Sequence, residues 1–482
     1  MTTHPWGLGG RPADPAVRLL AGATALLLGG SAQVAAVSLG VPMAGMLVAI
    51  PCLALVVTLW RPSLIELGIL AAALGIEALI VVHTGASRYF DWYEHYQMAL
   101  AFAGLPISIP RMDLLQRTPI FDALLSPWLL IHAQYWVFQI GSVLLNTLWL
   151  WPARLLLARL GTDSSGRLLA VAACPMLLIN LVYTWPWELV IFFLLAAAWF
   201  ALEARTVATL GLGLTLAGAL MVHPGSIGYV LGLALWIGLR QTRRVLPVTI
   251  VGLATILGLV PWMVFTTQGH LSALITHSEP VAGSSGVLNW LATRPILLLT
   301  SVIPDRGQAG NPIDATLALF NFSLAAALVP SAILARRRLT VPEPVAWMVV
   351  GGLVAGWLLQ PPPWAPSGIA EIGLPAVALL LISWLARTSG KSARAITTMH
   401  SALGTSVAAI LIFEGATAKA TDLNLVLKVH NHLRYLVNLV GPLPGILAAA
   451  AGIGLIVWSL TRAGATDAGR QPAELEFGGL PP

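Results

Sequence analysis

The chain has 482 residues, of which 57% are hydrophobic and 10% charged, against about 25% charged in an ordinary soluble domain. Its mean hydropathy of +0.83 leaves too little polar surface to cover a water-facing globule. A soluble enzyme, a disordered chain and a disulfide scaffold are excluded, and apolar runs of about twenty residues exclude an alternating β-barrel, leaving an all-α polytopic membrane protein.

Counted at about 20 residues per crossing, the apolar runs predict about 13–14 transmembrane helices. They lie near 16–38, 42–60, 64–84, 128–150, 167–184, 187–203, 206–222, 226–239, 245–266, 313–335, 343–360, 367–386, 395–413 and 435–460. The first run is too long for the apolar region of a signal peptide and reads as an uncleaved span. Cys52 and Cys174 fall inside apolar runs and read as packing residues. The net charge of +6 resides mainly in arginines of short loops. It is a topology signal and gives no reason to expect a nucleic-acid partner. With the N-terminus in the cytoplasm, eighteen basic residues fall inside, among them Arg61, Arg154, Arg159, Arg205, Arg240, Arg243, Arg244 and Arg387, and eight fall outside. The preference for Arg over Lys, with the Ala, Leu and Gly bias, suits a GC-rich bacterial genome and hence a bacterial plasma membrane.

This orientation sends three long connections outside, 85–127, 267–312 and 414–434. Connections of that length usually carry function. The tail 461–482 reads as cytoplasmic and disordered. No internal repeat, phosphate-binding glycine loop or paired-histidine zinc motif is evident.

The first outer connection holds the densest chemistry, Ser87-Arg88-Tyr89-Phe90-Asp91-Trp92-Tyr93-Glu94-His95-Tyr96. On a helix, Asp91 and Glu94 share one face. An acid beside aromatic rings can take a proton from a hydroxyl, and the rings can stack on a sugar. The same stretch also fits an interfacial aromatic belt with solvated acids. Arg88 is placed to pair with Glu94, and Tyr96 flanks the acids. Arg117, before Thr118-Pro119, can hold a phosphate or brace the acidic segment. A divalent cation bridging Asp91 and Glu94 is an alternative to the cofactor-free reading. Glu188 opens a helix and can contact substrate or favour the helix N-terminus. Glu77 is an ionisable group within a span and a functional candidate by default. Lys428, His430, His432 and Arg434 gather cations in the last outer connection.

Taken in order, several stretches resemble the GT-C-type integral membrane glycosyltransferases, the superfamily of lipid-linked mannosyltransferases and aminoarabinose transferases. They are Asp91 before its aromatic pair, Arg117-Thr118-Pro119-Ile120-Phe121, Tyr183-Thr184-Trp185-Pro186-Trp187-Glu188, Met221-Val222-His223-Pro224-Gly225, Val260-Pro261-Trp262 and His432-Leu433-Arg434-Tyr435. The resemblance covers roughly 64–460, so residues 1–63 read as two added N-terminal helices. His223 stands where such families often have arginine.

The resemblance implies a GT-C-like bundle and a polyprenyl-phosphate-linked sugar donor. The acceptor would be a glycan, lipid or protein, and the active site would be extracytoplasmic. Asp91 would be the general base of an inverting transfer, or Glu94 in its place. Arg434 beside Tyr435, with Lys428, His430, His432 and Arg117, would receive the leaving phosphate. Two other classes remain open on sequence. An O-antigen ligase or polymerase would depend on 414–434, and a transporter would need ionisable groups along its path.

Overall fold

The computed structural model describes residues 14–81, 90–108, 118–161, 165–174, 186–267, 340–359, 365–388 and 390–400, with 177, 331, 333 and 402. Among the described residues every regular element is helical. The helices are α1 (Pro15–Ser38), α2 (Pro42–Trp60), α3 (Leu64–Val81), α4 (Phe90–Phe102), α5 (Ile120–Leu129), α6 (Tyr135–Asn146), α7 (Leu150–Arg159) and α8 (Ser165–Ala172). They are followed by α9 (Trp187–Ala201), α10 (Thr206–Val222), α11 (Ile227–Arg240), α12 (Thr242–Ile256), α13 (Val260–Thr267), α14 (Glu343–Leu359) and α15 (Ala365–Arg387). A single 3₁₀ turn at Thr147–Trp149 joins α6 to α7.

Among the described residues four segments are long and apolar enough to cross a membrane, namely Pro15–Ser38, Pro42–Trp60, Val137–Arg159 and Thr242–Val264. Shorter apolar helices include Trp187–Ala201 and Thr206–Val222. Among the described residues the fold is thus all-α, with apolar helices compatible with a membrane protein.

Helix ends follow local chemistry. Asp14 caps α1 by accepting the Ala16 amide at 2.9 Å, with Pro15 at the first helical position. Gly40, at φ +74°, closes α1, and the Val41 amide reaches back to the Ala36 carbonyl at 2.8 Å before Pro42 opens α2. Only a residue without Cβ enters that left-handed turn at no cost. The same device ends α4, where Gly104 sits at φ +72° and the Leu105 amide bonds the Leu100 carbonyl at 2.9 Å. Ser63 and Glu66 form a reciprocal capping box on α3, the Ser63 amide donating to Glu66 at 2.7 Å.

The core centres on α9. All fifteen of its residues are buried, as befits a helix apolar around its whole circumference. It packs against α10, α7, α15 and α6. α1 and α2 belong to the same core rather than standing apart. Leu19, Ala23 and Leu26 of α1 are buried, and α1 packs against α5, α10 and α13 across the boundary expected at residue 63.

Two expected boundaries move. The segment expected as outer connection 85–127 contains α4 and most of α5, and the span expected at 128–150 is replaced by α6 and α7, reaching from 135 to 159. The exposed stretch 130–134 interrupts the apolar run. The helix then continues past Arg154 because that guanidinium finds partners. It bonds the Trp60 carbonyl at 3.3 Å and Glu66 at 3.3 Å. The long connections 267–312 (beyond Thr267) and 414–434 and the tail 461–482 lie outside the described residues.

One end of the bundle gathers arginines. Arg18 donates to the carbonyls of Leu59 (3.0 Å) and Trp60 (3.1 Å). Arg205 bonds Asp14 and Glu203, Arg159 faces Glu203 at 3.6 Å, Arg244 donates to the Glu203 carbonyl, and Arg240 pairs with Glu343 at 2.9 Å. These residues come from α1, α7, α11 and α12 and from the connection before α10, and most were expected in cytoplasmic loops.

Candidate functional site

The opposite end carries Asp122 and Glu188 with the histidines His95 and His223 and several aromatic rings. α9 and α10 run antiparallel, so the start of α9 and the end of α10 lie together, about 20 Å from the arginine end at 1.5 Å per residue. Trp187, in the first turn of α9, sets its ring against His223 at the end of α10, with centroids 4.3 Å apart. The His223 Nδ1 accepts the Gly225 amide at 3.0 Å, which places any ring proton on Nε2. A Cβ on Gly225 would meet both rings, 2.9 Å from each. Glycine is therefore what lets the chain turn this closely beneath Trp187.

Two contacts bring the segment expected as the first outer connection here. Thr118 donates from its hydroxyl to the Val222 carbonyl at 2.6 Å, next to His223. Four residues on, Asp122 in the first turn of α5 accepts from His95 Nδ1 at 2.8 Å, with His95 at 3% and Asp122 at 0% exposure. The His95 ring also meets Phe121 edge-on at 6.0 Å. α4, which carries Asp91, Glu94 and His95, is thereby fixed to α5, and α5 through Thr118 to the end of α10.

Glu188 differs from the other buried acids. It is fully buried in the first turn of α9, and among the described residues neither carboxyl oxygen has a hydrogen-bond partner. Native structures rarely leave such a group unpaired without a reason.

The remaining expected residues fall as follows. Glu94 is half-buried, and Asp91 is described by its backbone alone, in the first turn of α4. Tyr96 is built into the packing. Its hydroxyl donates to the Ala133 carbonyl at 3.0 Å and its ring lies edge-on to Tyr135 at 5.4 Å. Arg88, Arg117, Lys428, His430, His432, Arg434 and Tyr435 lie outside the described residues, as does the side chain of Glu77. Among the described residues no three of His, Cys, Asp and Glu gather as metal ligands.

Asp122, Thr118 and Trp187 were not picked out from the sequence. Asp122 had a readable signal, since an ionisable side chain inside an apolar run marks a functional or structural polar contact. Thr118 and Trp187 entered only as members of stretches that carry the resemblance, and their individual roles had no signal because they arise from the meeting of α5, α9 and α10.

Chemically, the end of the bundle offers an acid-bearing helix, a buried His–Asp pair, a histidine whose Nε2 faces away from its own turn, and an unpaired carboxyl beside an indole. Comparison with known proteins finds no matching family model, no matching curated protein and no matching solved structure.

Proposed function

We propose that the protein is a GT-C-type membrane glycosyltransferase. It moves a monosaccharide from a polyprenyl-phosphate donor to an acceptor hydroxyl, on the extracytoplasmic side of a bacterial plasma membrane. The observation that carries this reading is the convergence of α4, Thr118, Trp187, Glu188 and His223 at the end of the bundle away from the arginines. These elements contain four of the stretches that resemble the family, and the positive-inside rule assigns that end to the outside.

In the proposed reaction Asp91 accepts the proton of the acceptor hydroxyl as its oxygen attacks the anomeric carbon. The bond to polyprenyl phosphate breaks and the configuration inverts. Charge accumulates on the departing phosphate, where Arg117, Lys428, His430, His432 and Arg434 are the cations assigned by resemblance. Glu94 is the alternative base, and Glu188 and His223 contact substrate. The proposed partners are the lipid-linked donor, a glycan, lipid or protein acceptor, and the bilayer; no cofactor is invoked.

The test is Asp91→Asn in the purified protein, assayed against a panel of polyprenyl-phosphate monosaccharides with donor binding measured in parallel. Transfer is expected to fall by about 10²–10⁴-fold with donor binding retained. Near wild-type transfer by Asp91→Asn would move the base to Glu94. A wild type that neither binds nor consumes any donor would overturn the glycosyltransferase reading.

A further inference from the structure

The arginine end of the bundle holds a feature that the proposed chemistry does not use. The last carbonyls of α2 draw in two guanidiniums from other helices. Arg18 of α1 donates to Leu59 at 3.0 Å and Trp60 at 3.1 Å. Arg154 of α7 donates to the same Trp60 carbonyl at 3.3 Å and to the Arg61 carbonyl at 3.4 Å. A third guanidinium belongs to Arg61 itself, the C-cap of α2, exposed and held in the left-handed region at φ 47° and ψ 67°.

Among the described residues, three cations therefore share one helix end with a single carboxylate, Glu66. That carboxylate is fully buried and already engaged by Arg154 at 3.3 Å, Trp60 Nε1 at 2.9 Å and the Ser63 amide at 2.7 Å. The helix C-terminus accounts for part of the excess charge, since its carbonyls carry partial negative charge. Arg18 and Arg154 consume those carbonyls. Among the described residues Arg61 has no acidic partner, and its side chain donates no hydrogen bond. Beside it the bundle presents apolar side chains with nothing over them, Val57 at 61%, Leu64 at 83% and Leu67 at 43% exposure.

The geometry points to a binding site for one anionic phospholipid at the end of α2. Its headgroup phosphate meets Arg61, backed by Arg18 and Arg154, and its acyl chains lie along Val57, Leu64 and Leu67. Charge complementarity selects the headgroup, because a zwitterionic lipid brings its own ammonium into a field that is already positive. The exposed apolar flank selects a lipid over a free phosphate. The site is independent of the reaction at the other end of the bundle.

The experiment is native mass spectrometry of the full chain in detergent, supplemented with equal amounts of phosphatidylglycerol and phosphatidylcholine. The wild type is expected to retain phosphatidylglycerol in preference. Arg61→Asn removes the cation and suits the left-handed backbone better than arginine does, so loss of folding does not confuse the result. It is expected to lower phosphatidylglycerol retention about fivefold, and Arg61→Lys to keep most of it. Arg243→Asn removes another exposed arginine at the same end and is expected to leave retention unchanged. Equal retention of the two lipids, or an Arg243→Asn loss as large as that of Arg61→Asn, would overturn the site. Displacement by inorganic phosphate at the concentration of the lipid would reassign it to a soluble anion.

Discussion

His95 and Asp122 hold the acid-bearing helix by one buried contact. Asp122→Ala leaves the buried His95 Nδ1 without its Asp122 acceptor, and the expected cost is about 1–3 kcal/mol, read as a lowered Tm in detergent. Asp122→Asn keeps an acceptor and is expected to recover most of it. Glu188 gives the opposite expectation. A fully buried carboxyl without a partner opposes folding, so Glu188→Leu is expected to raise stability by about 1–3 kcal/mol. If Glu188 meets substrate, sugar transfer by the same variant falls; higher stability with unchanged transfer would remove it from the site. Asp14 carries a pH expectation. The hydrogen bond from Arg205, then that from the Ala16 amide, holds its carboxyl below the usual range. A lowered folded-state value means the contact stabilises above the ordinary carboxylate pKa and is lost as pH falls through the lowered one. Tm curves of wild type and Asp14→Asn are therefore expected to differ near neutrality, to begin to approach each other below about pH 4, and to converge only below the lowered folded-state value. At this scale the sequence was legible where a residue type announces itself, as with Glu188, an acid in an apolar stretch that the fold buries fully. It was silent where the role comes from a partner, as with Tyr96, whose ring reads as a sugar platform in the linear order and as packing against Tyr135 in the fold.

Helices α11 and α14 lie antiparallel and in close contact, as Arg240 at the end of one and Glu343 at the start of the other require. Their backbones touch through small residues. A Cβ on Gly232 would overlap the Trp347 carbonyl, and one on Gly228 would overlap the Ala355 Cβ. Spacing small residues four apart is how helices in an apolar solvent approach closely enough to gain from packing. Gly232→Ala is expected to cost about 1–3 kcal/mol. Gly238→Ala, one and a half turns on and with nothing within 4 Å of the new Cβ, is expected to gain roughly 0.5–1 kcal/mol. Thermal unfolding of the two variants side by side checks both signs. Most helices were legible from apolar runs. The expected spans at 16–38, 42–60 and 206–222 lie within a residue of α1, α2 and α10. The α5–α7 region was misread because the exposed stretch 130–134 was taken inside a span from 128 to 150, while Arg154 looked like a terminus. A count of apolar residues cannot see that Arg154 is satisfied by the Trp60 carbonyl and Glu66.

At the scale of the molecule, the separation of charge along the bundle was legible from loop arginines alone, because like charges belong to one side of a membrane. The meeting of α5, α9 and α10 was not, because the Thr118–Val222 bond joins residues 104 apart. The separation makes the orientation testable. Ala133→Cys lies on the exposed stretch between α5 and α6, and Arg243→Cys lies at the arginine end. The native Cys52 and Cys174 are buried and give a low background. A membrane-impermeant maleimide is expected to label Ala133→Cys in intact cells and Arg243→Cys only after permeabilisation. The reverse pattern would turn the protein over and place the acid-bearing end in the cytoplasm. The hydrogen bond from Ser38 to the Pro261 carbonyl, 223 residues apart at 2.7 Å, has a consequence in time. The α1–α2 hairpin, closed by Gly40, leaves the ribosome complete, but its partner α13 emerges about 10–45 s later at ordinary rates of synthesis. Through that interval the first hairpin must keep its shape with one flank still bare, as a template awaiting the chain that completes it.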